Sequence, residues 1–187
     1  MRIFSKIIHI IFSSFLVWQI FMLVEILLRN QPAGFSDKFL DAVFLNLFVT
    51  GVFTIVYSFP AYRLLPEKYY SIKNPGLLKI TGRIIQIDLF KKLLTRTIWN
   101  KKQNKKYFFS GYRNGFSDLE IATRKSEFGH FAGFCLVMIL AIVIGIKANY
   151  FTASMILVIN IFFNFYPFML QRFHRLRLTE LRSRLQA

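Results

Sequence analysis

Two side chains three residues apart carry the first chemical signal. Glu127 and His130 stand in "RKSEFGHF" (124–131), just before a long uncharged run. At i and i+3 they share a face if the segment is helical. An imidazole can take a proton from a hydroxyl, and a carboxylate can fix its tautomer or charge. A second cluster, "NIFFNFYPFMLQRFHRLRL" (160–178), holds Asn160, Asn164, Tyr166, Gln171, Arg172, Arg175 and Arg177. Amides and guanidinium groups can hold a developing oxyanion, and arginines can hold phosphate. The expected division of labour is acid/base work at Glu127 and His130 and substrate binding by the rest. Plainer uses exist for every piece. Glu127 at a helix start would complement the dipole. His130 would be interfacial packing, Asn160 and Asn164 interhelical glue, and the arginines a cytoplasmic charge signal.

These groups need elements to position them. The chain has 187 residues, 55% of them hydrophobic, yet a formal charge of +16. A nucleic-acid binder explains the charge but not the apolar runs, so no nucleic-acid partner is expected. An integral membrane protein explains both, because basic residues gather in cytoplasmic loops. Four spans are expected: 7–28, 39–60, 129–146 and 150–170, the last broken near its end by Pro167. The first would cover about 33 Å as a helix, enough for the hydrocarbon core. A signal peptide should have a shorter apolar region and a small-residue cleavage site, which "RNQPAG" does not supply. Spans three and four are joined by "KANY", which makes them an antiparallel hairpin and brings the two clusters to one depth.

All but three of the 25 Lys and Arg residues (Arg29, Lys38 and Lys147) fall in the N-terminus, in 61–128 or in the tail 171–187. With four spans these segments share a side, which the positive-inside rule makes the cytoplasm; the expected location is a cell membrane crossed several times. Within the basic segment, 77–99 places Ile80, Ile84, Ile87, Leu94 and Ile98 at helical spacing, with Lys79, Arg83 and Lys92 elsewhere. That predicts an amphipathic helix lying on anionic headgroups, although "IIQIDLF" also alternates like a strand. "NKKQNKK" (100–106) reads as a solvated turn. The fold class is thus all-α: four transmembrane helices and an interfacial helix, with both termini cytoplasmic.

No metal is expected. ExxH occurs in di-iron bundles, but those need a second copy and two further carboxylates, and only Glu25 lies inside a span. HExxH is absent. Cys135 is the single cysteine and has no partner for a disulfide or zinc.

"TRKSEFGH", an apolar hairpin and "NFYPFMLQRFHRLRLTEL" together resemble the small membrane family of glycosyl-4,4'-diaponeurosporenoate acyltransferases, which acylate the sugar of a carotenoid glucoside. That family carries Thr-Arg…Glu-x-x-His and Asn…Tyr-Pro…Gln-Arg-Tyr-Asn-Arg-x-Arg-Leu segments. The matching positions are Thr123, Glu127 and His130, then Asn164, Tyr166, Pro167, Gln171, Arg172, Arg175, Arg177 and Leu178. Phe173 and His174 stand where the family shows Tyr and Asn. The match is good over 120–180 and weak before it. The resemblance implies transfer of a fatty acyl group to a lipid-linked, glycosyl-type hydroxyl. Acyl-CoA or another acyl thioester would be co-substrate, no cofactor would be held, and membrane lipids and a lipid or glycolipid acceptor would be the partners. The alternative is a non-catalytic membrane assembly or lipid-binding subunit that docks through the same cluster, with Glu127 paired to a base such as Arg172. A transporter would show Gly/Pro-interrupted spans in repeated halves, and no repeat is present.

Overall fold

The computed structural model describes residues 2–29, 34–55, 61–97, 114–147 and 150–186. Its helices are α1 (Arg2–Leu28), α2 (Phe35–Ile55), α3 (Glu67–Tyr70), α4 (Pro75–Ile84), α5 (Ile87–Thr97), α6 (Asn114–Ile146), α7 (Tyr150–Asn160) and α8 (Tyr166–Gln186). A 3-10 turn spans Ala61–Leu64 and a π turn Ile161–Phe165. No strand occurs among the described residues, so the alternation in "IIQIDLF" makes none. The chain divides into two units: Met1–Ala61 with Phe128–Pro167, and Tyr62–Glu127 with Phe168–Ala187.

In the first unit α1 packs on α2 and α2 on α7. Leu45, Val49, Val137, Ile144 and Ile156 are fully buried and form the centre of its core, with Leu23 and Leu27 of α1 against them. The rest of α1 faces outward. Phe4, Ile11, Phe12, Trp18 and Phe21 are exposed, and only 6% of its apolar window is buried. Water would penalise such a surface by roughly 25 cal/mol per Å², whereas lipid tails solvate it. Among the described residues three helices are long and apolar enough to cross a membrane: Lys6–Leu28, Ser117–Ile146 and Tyr150–Arg184. The expected second span corresponds to α2, which begins at Phe35 with Asp37, Lys38 and Asp41 in its first two turns. Its expected end at Phe59-Pro60 lies outside the described residues, as does the turn at 100–106.

Three boundaries differ from the sequence expectation. First, α6 begins at Asn114 rather than near 129. Its early turns are charged but internally paired, with Arg124 Nη2 donating to Glu120 Oε1 at 2.8 Å. Glu127 therefore lies more than three turns inside a helix, and dipole complementation does not account for it. Second, Pro167 does not end the fourth span. The π turn widens the helix ahead of it, and Pro167 sits in the first turn of α8, where a missing N–H is tolerated. Third, 77–97 is two helices. Asn74 caps α4 by accepting from Leu77 N at 2.9 Å, with Pro75 next. Gln86, at φ 52°, then turns the chain into α5. Residues 98–99 lie outside the described set.

The second unit packs α4 onto α8. A Cβ on Gly82 would stand 2.1 Å from the Phe173 ring, so only glycine permits this approach. Lys79 Nζ meets Glu180 Oε1 at 2.9 Å. Leu77, Ile80 and Ile84 of α4, and Leu89 and Leu93 of α5, remain exposed as apolar stripes.

Candidate active site

The site residues fall into two clusters, one in each unit. The first is a chain of amides. Asn46, Asn160 and Asn164 are fully buried. Asn46 Nδ2 donates to the Ala42 carbonyl at 2.9 Å and to the Ile156 carbonyl at 3.3 Å. Asn160 Nδ2 donates to the Phe134 carbonyl at 3.1 Å, tying α7 to α6. Asn164 Nδ2 donates to Asn160 Oδ1 at 2.9 Å, and Thr50 Oγ1 donates to Asn164 Oδ1 at 2.9 Å. Gly133 makes room: a Cβ there would lie 2.8 Å from Asn164 Oδ1.

His130 joins this cluster. Its imidazole faces the Asn164 side chain and the Phe163 carbonyl. Nδ1 is buried and has no hydrogen-bond partner, which leaves Nε2 as the nitrogen that these neighbours can serve. With Nε2 as the donor, Nδ1 would carry the lone pair. Such a nitrogen can accept a proton from a hydroxyl.

The second cluster is charged. Glu127 is 0% exposed and is held by two arginines of α8. Arg172 Nε donates to Oε1 at 2.9 Å, and Arg175 Nη1 donates to Oε2. A buried carboxylate is tolerable only with such partners. Arg172 also donates to the Tyr69 carbonyl at 2.9 Å and lies over the Tyr69 and Phe168 rings. Arg175 and Arg124 both lie over the Tyr70 ring, at 5.2 Å. Arg124 Nη1 reaches both Glu67 oxygens, at 2.7 and 2.6 Å. Burial, then the Glu127 carboxylate, push the Tyr70 hydroxyl up to about 12. It stays protonated and donates to the Tyr62 carbonyl at 2.7 Å. The same two causes raise Tyr69.

The expected residues are therefore sorted. Glu127 does not hold the imidazole that it was expected to steady: both its oxygens are taken by Arg172 and Arg175, while His130 faces Asn164 and the Phe163 carbonyl. Thr123 is buried and donates to the Glu120 carbonyl at 2.7 Å. Tyr166 stacks on Phe162 at 5.8 Å. Gln171 and His174 are half-buried. Arg177 is largely exposed and stands 4.0 Å from Asp88. Glu25 pairs with Arg29 one turn on. No three His, Cys, Asp or Glu side chains gather as a metal site would require among the described residues. Sequence reading did not single out Asn46, Thr50, Glu67, Tyr69, Tyr70 or Arg124. A polar Asn46 inside "FLNLFVT" was a visible signal. Nothing local marks the tyrosine pair: Tyr69 meets Arg172, and Tyr70 meets Arg124 and Arg175, all far along the chain.

Comparison with known proteins adds one positive finding. Residues 66–184 match the family described as glycosyl-4,4'-diaponeurosporenoate acyltransferase. The match reaches well upstream of 120 and so takes in Tyr69, Tyr70 and Arg124 as well as the two motif segments. No curated protein and no solved structure matches the chain.

Proposed function

From the premise that this chain belongs to the glycosyl-4,4'-diaponeurosporenoate acyltransferase family, we propose that it moves a fatty acyl group from a thioester to a lipid-linked, glycosyl-type hydroxyl at the cytoplasmic face of the plasma membrane. The observation that carries the reaction class is the family match across 66–184, which contains every residue assigned a role below except Thr50.

His130 is the base. The acceptor oxygen attacks the thioester carbonyl as Nδ1 takes its proton. The carbon–sulfur bond then breaks, the proton passes to the departing sulfur, and an ester and a free thiol result. Asn164 and the Phe163 carbonyl hold the imidazole by its Nε2–H, and Thr50 and Asn160 hold Asn164. Glu127 is a positioning residue: it sets the guanidinium planes of Arg172 and Arg175, which bind the anionic part of a substrate. Tyr166, Gln171 and Arg177 are assigned to substrate contact. The topology is four spans with α2 as the second, and both termini cytoplasmic, as the charge distribution requires.

A docking subunit is the second reading, and the Glu127–Arg172 pair at 2.9 Å is what favours it. A docking surface needs no base, so His130→Ala should leave a docking subunit working and silence a transferase. The direct test of the first reading is to incubate the purified protein with labelled acyl-CoA and a lipid extract from its source. Label in a lipid ester is expected. A folded protein that transfers from no acyl thioester would sink the proposal.

A further inference from the structure

A cleft of about 540 Å³ opens in the second unit. Tyr70, Arg124, Arg175 and Arg182 line it, with the carboxylates of Glu67 and Glu120. That volume is in the range of small-molecule sites and exceeds what a lone phosphate needs. The buried Tyr70 ring carries the Arg124 and Arg175 guanidinium groups, and its hydroxyl is tied to the Tyr62 carbonyl. The two cations are thus pre-organised on one rigid support.

Their donors are not all used. The Arg175 side chain is 5% exposed and spends Nη1 on Glu127. Its Nε and Nη2 are buried without a hydrogen-bond partner, and so is Arg124 Nε. Unmet buried donors on a cation are costly and call for an explanation. The counter-ions facing them are unequal. Glu120 is bonded to Arg124 Nη2 and stands 4.0 Å from Arg182. The Glu67 side chain is 80% exposed, and an exposed carboxylate holds an arginine weakly.

We propose that this cleft binds a phosphate ester, with Arg124 and Arg175 as its ligands and Glu67 as the counter-ion that the phosphate displaces. Arginine forks match phosphate geometry in two parallel bonds. Ile72 and Leu178 give the cleft apolar wall for the rest of the molecule. Two sources share this chemistry: the nucleotide portion of a thioester donor, and the headgroup of an anionic phospholipid. The choice of the first source rests on the acyl-transfer reading; the phosphate site itself does not.

The test uses the full chain in nanodiscs of phosphatidylcholine alone. Free coenzyme A, which has no acyl group to transfer, is titrated in and followed by calorimetry. In a second arm phosphatidylglycerol is added to the nanodiscs, and lipid retained by the protein is read by native mass spectrometry. Arg124→Gln should weaken whichever ligand binds at least about tenfold, as loss of a charge-assisted pair implies. Glu67→Gln should tighten it about threefold, the scale of an exposed ion pair. Saturable coenzyme A binding with this pattern identifies the nucleotide source. Retained phosphatidylglycerol with this pattern identifies the lipid source. Binding of neither probe overturns the proposal, and so does a Glu67→Gln protein that binds no better than native. Glu67 is exposed, so its substitution keeps the test informative if Arg124→Gln fails to fold. A protein that binds in this pattern yet transfers no acyl group would end the acyltransferase reading alone. One that transfers while both variants leave binding unchanged would end this inference alone.

Discussion

The two units bury polar groups by different means. In the first, Asn46, Thr50, Asn160 and Asn164 form a network of uncharged groups among apolar helices, with His130 beside it. In the second, Glu67, Glu120 and Glu127 offset Arg124, Arg172 and Arg175, and three aromatic rings carry the guanidinium planes. Charge buried among apolar groups costs far more than an amide, so a unit of apolar helices, candidate spans in whole or part among them, uses amides. A charged network survives where partners and stacked rings replace water. His130 belongs to the neutral set and Glu127 to the charged one, although they stand three residues apart on α6. The contrast supports giving them different tasks.

Substitutions test that contrast by size of effect. Glu127→Ala should be the largest, destabilising by about 3–5 kcal/mol because Arg175 loses its buried counter-ion. Thermal unfolding in detergent would read it, and an unchanged midpoint would show that the pair is not buried as described. Gly82→Ala and Gly133→Ala should each cost about 1–3 kcal/mol by overpacking, the first against Phe173 and the second against Asn164. Equal tolerance of alanine at both would refute the close approaches. Asn164→Ala should cost about 1 kcal/mol, less than loss of Glu127, because amide bonds between spans are individually modest. Its larger consequence should be on turnover, since His130 loses a partner. Arg29→Ala should be near neutral, within about 0.5 kcal/mol, because the Glu25–Arg29 pair is exposed.

Much of this was legible in the sequence where spacing alone decides geometry. Asn160 and Asn164, at i and i+4, do meet at 2.9 Å. The short link at "KANY" makes α6 and α7 neighbours, and Asn160 reaches the Phe134 carbonyl across them. The pairing of Glu127 with Arg172 was expected only of a docking subunit; an acid three residues from an imidazole suggested the closer partner, and the arginines of α8 took it instead. What spacing could not supply was partner choice over long separations. The Tyr69–Arg172 and Glu67–Arg124 contacts join residues whose local patterns say nothing of each other. Boundaries failed where tertiary pairing overrode local chemistry. Charged residues at 118–125 set the start of span three near 129, but the helix begins at Asn114, with Arg124 paired to Glu120 within it and to Glu67 outside it. Pro167 suggested a break, but a π turn precedes it and the helix runs on to Gln186.

The central claim is that His130 moves the proton while Glu127 works through the arginines. The most direct measurement is the rate of labelled acyl transfer to lipid by His130→Ala, beside native protein and matched for thermal midpoint. A fall of about 10²–10⁴-fold with the fold intact is the predicted result, the usual worth of a general base. Transfer at the native rate would contradict the account and remove His130 from the chemistry.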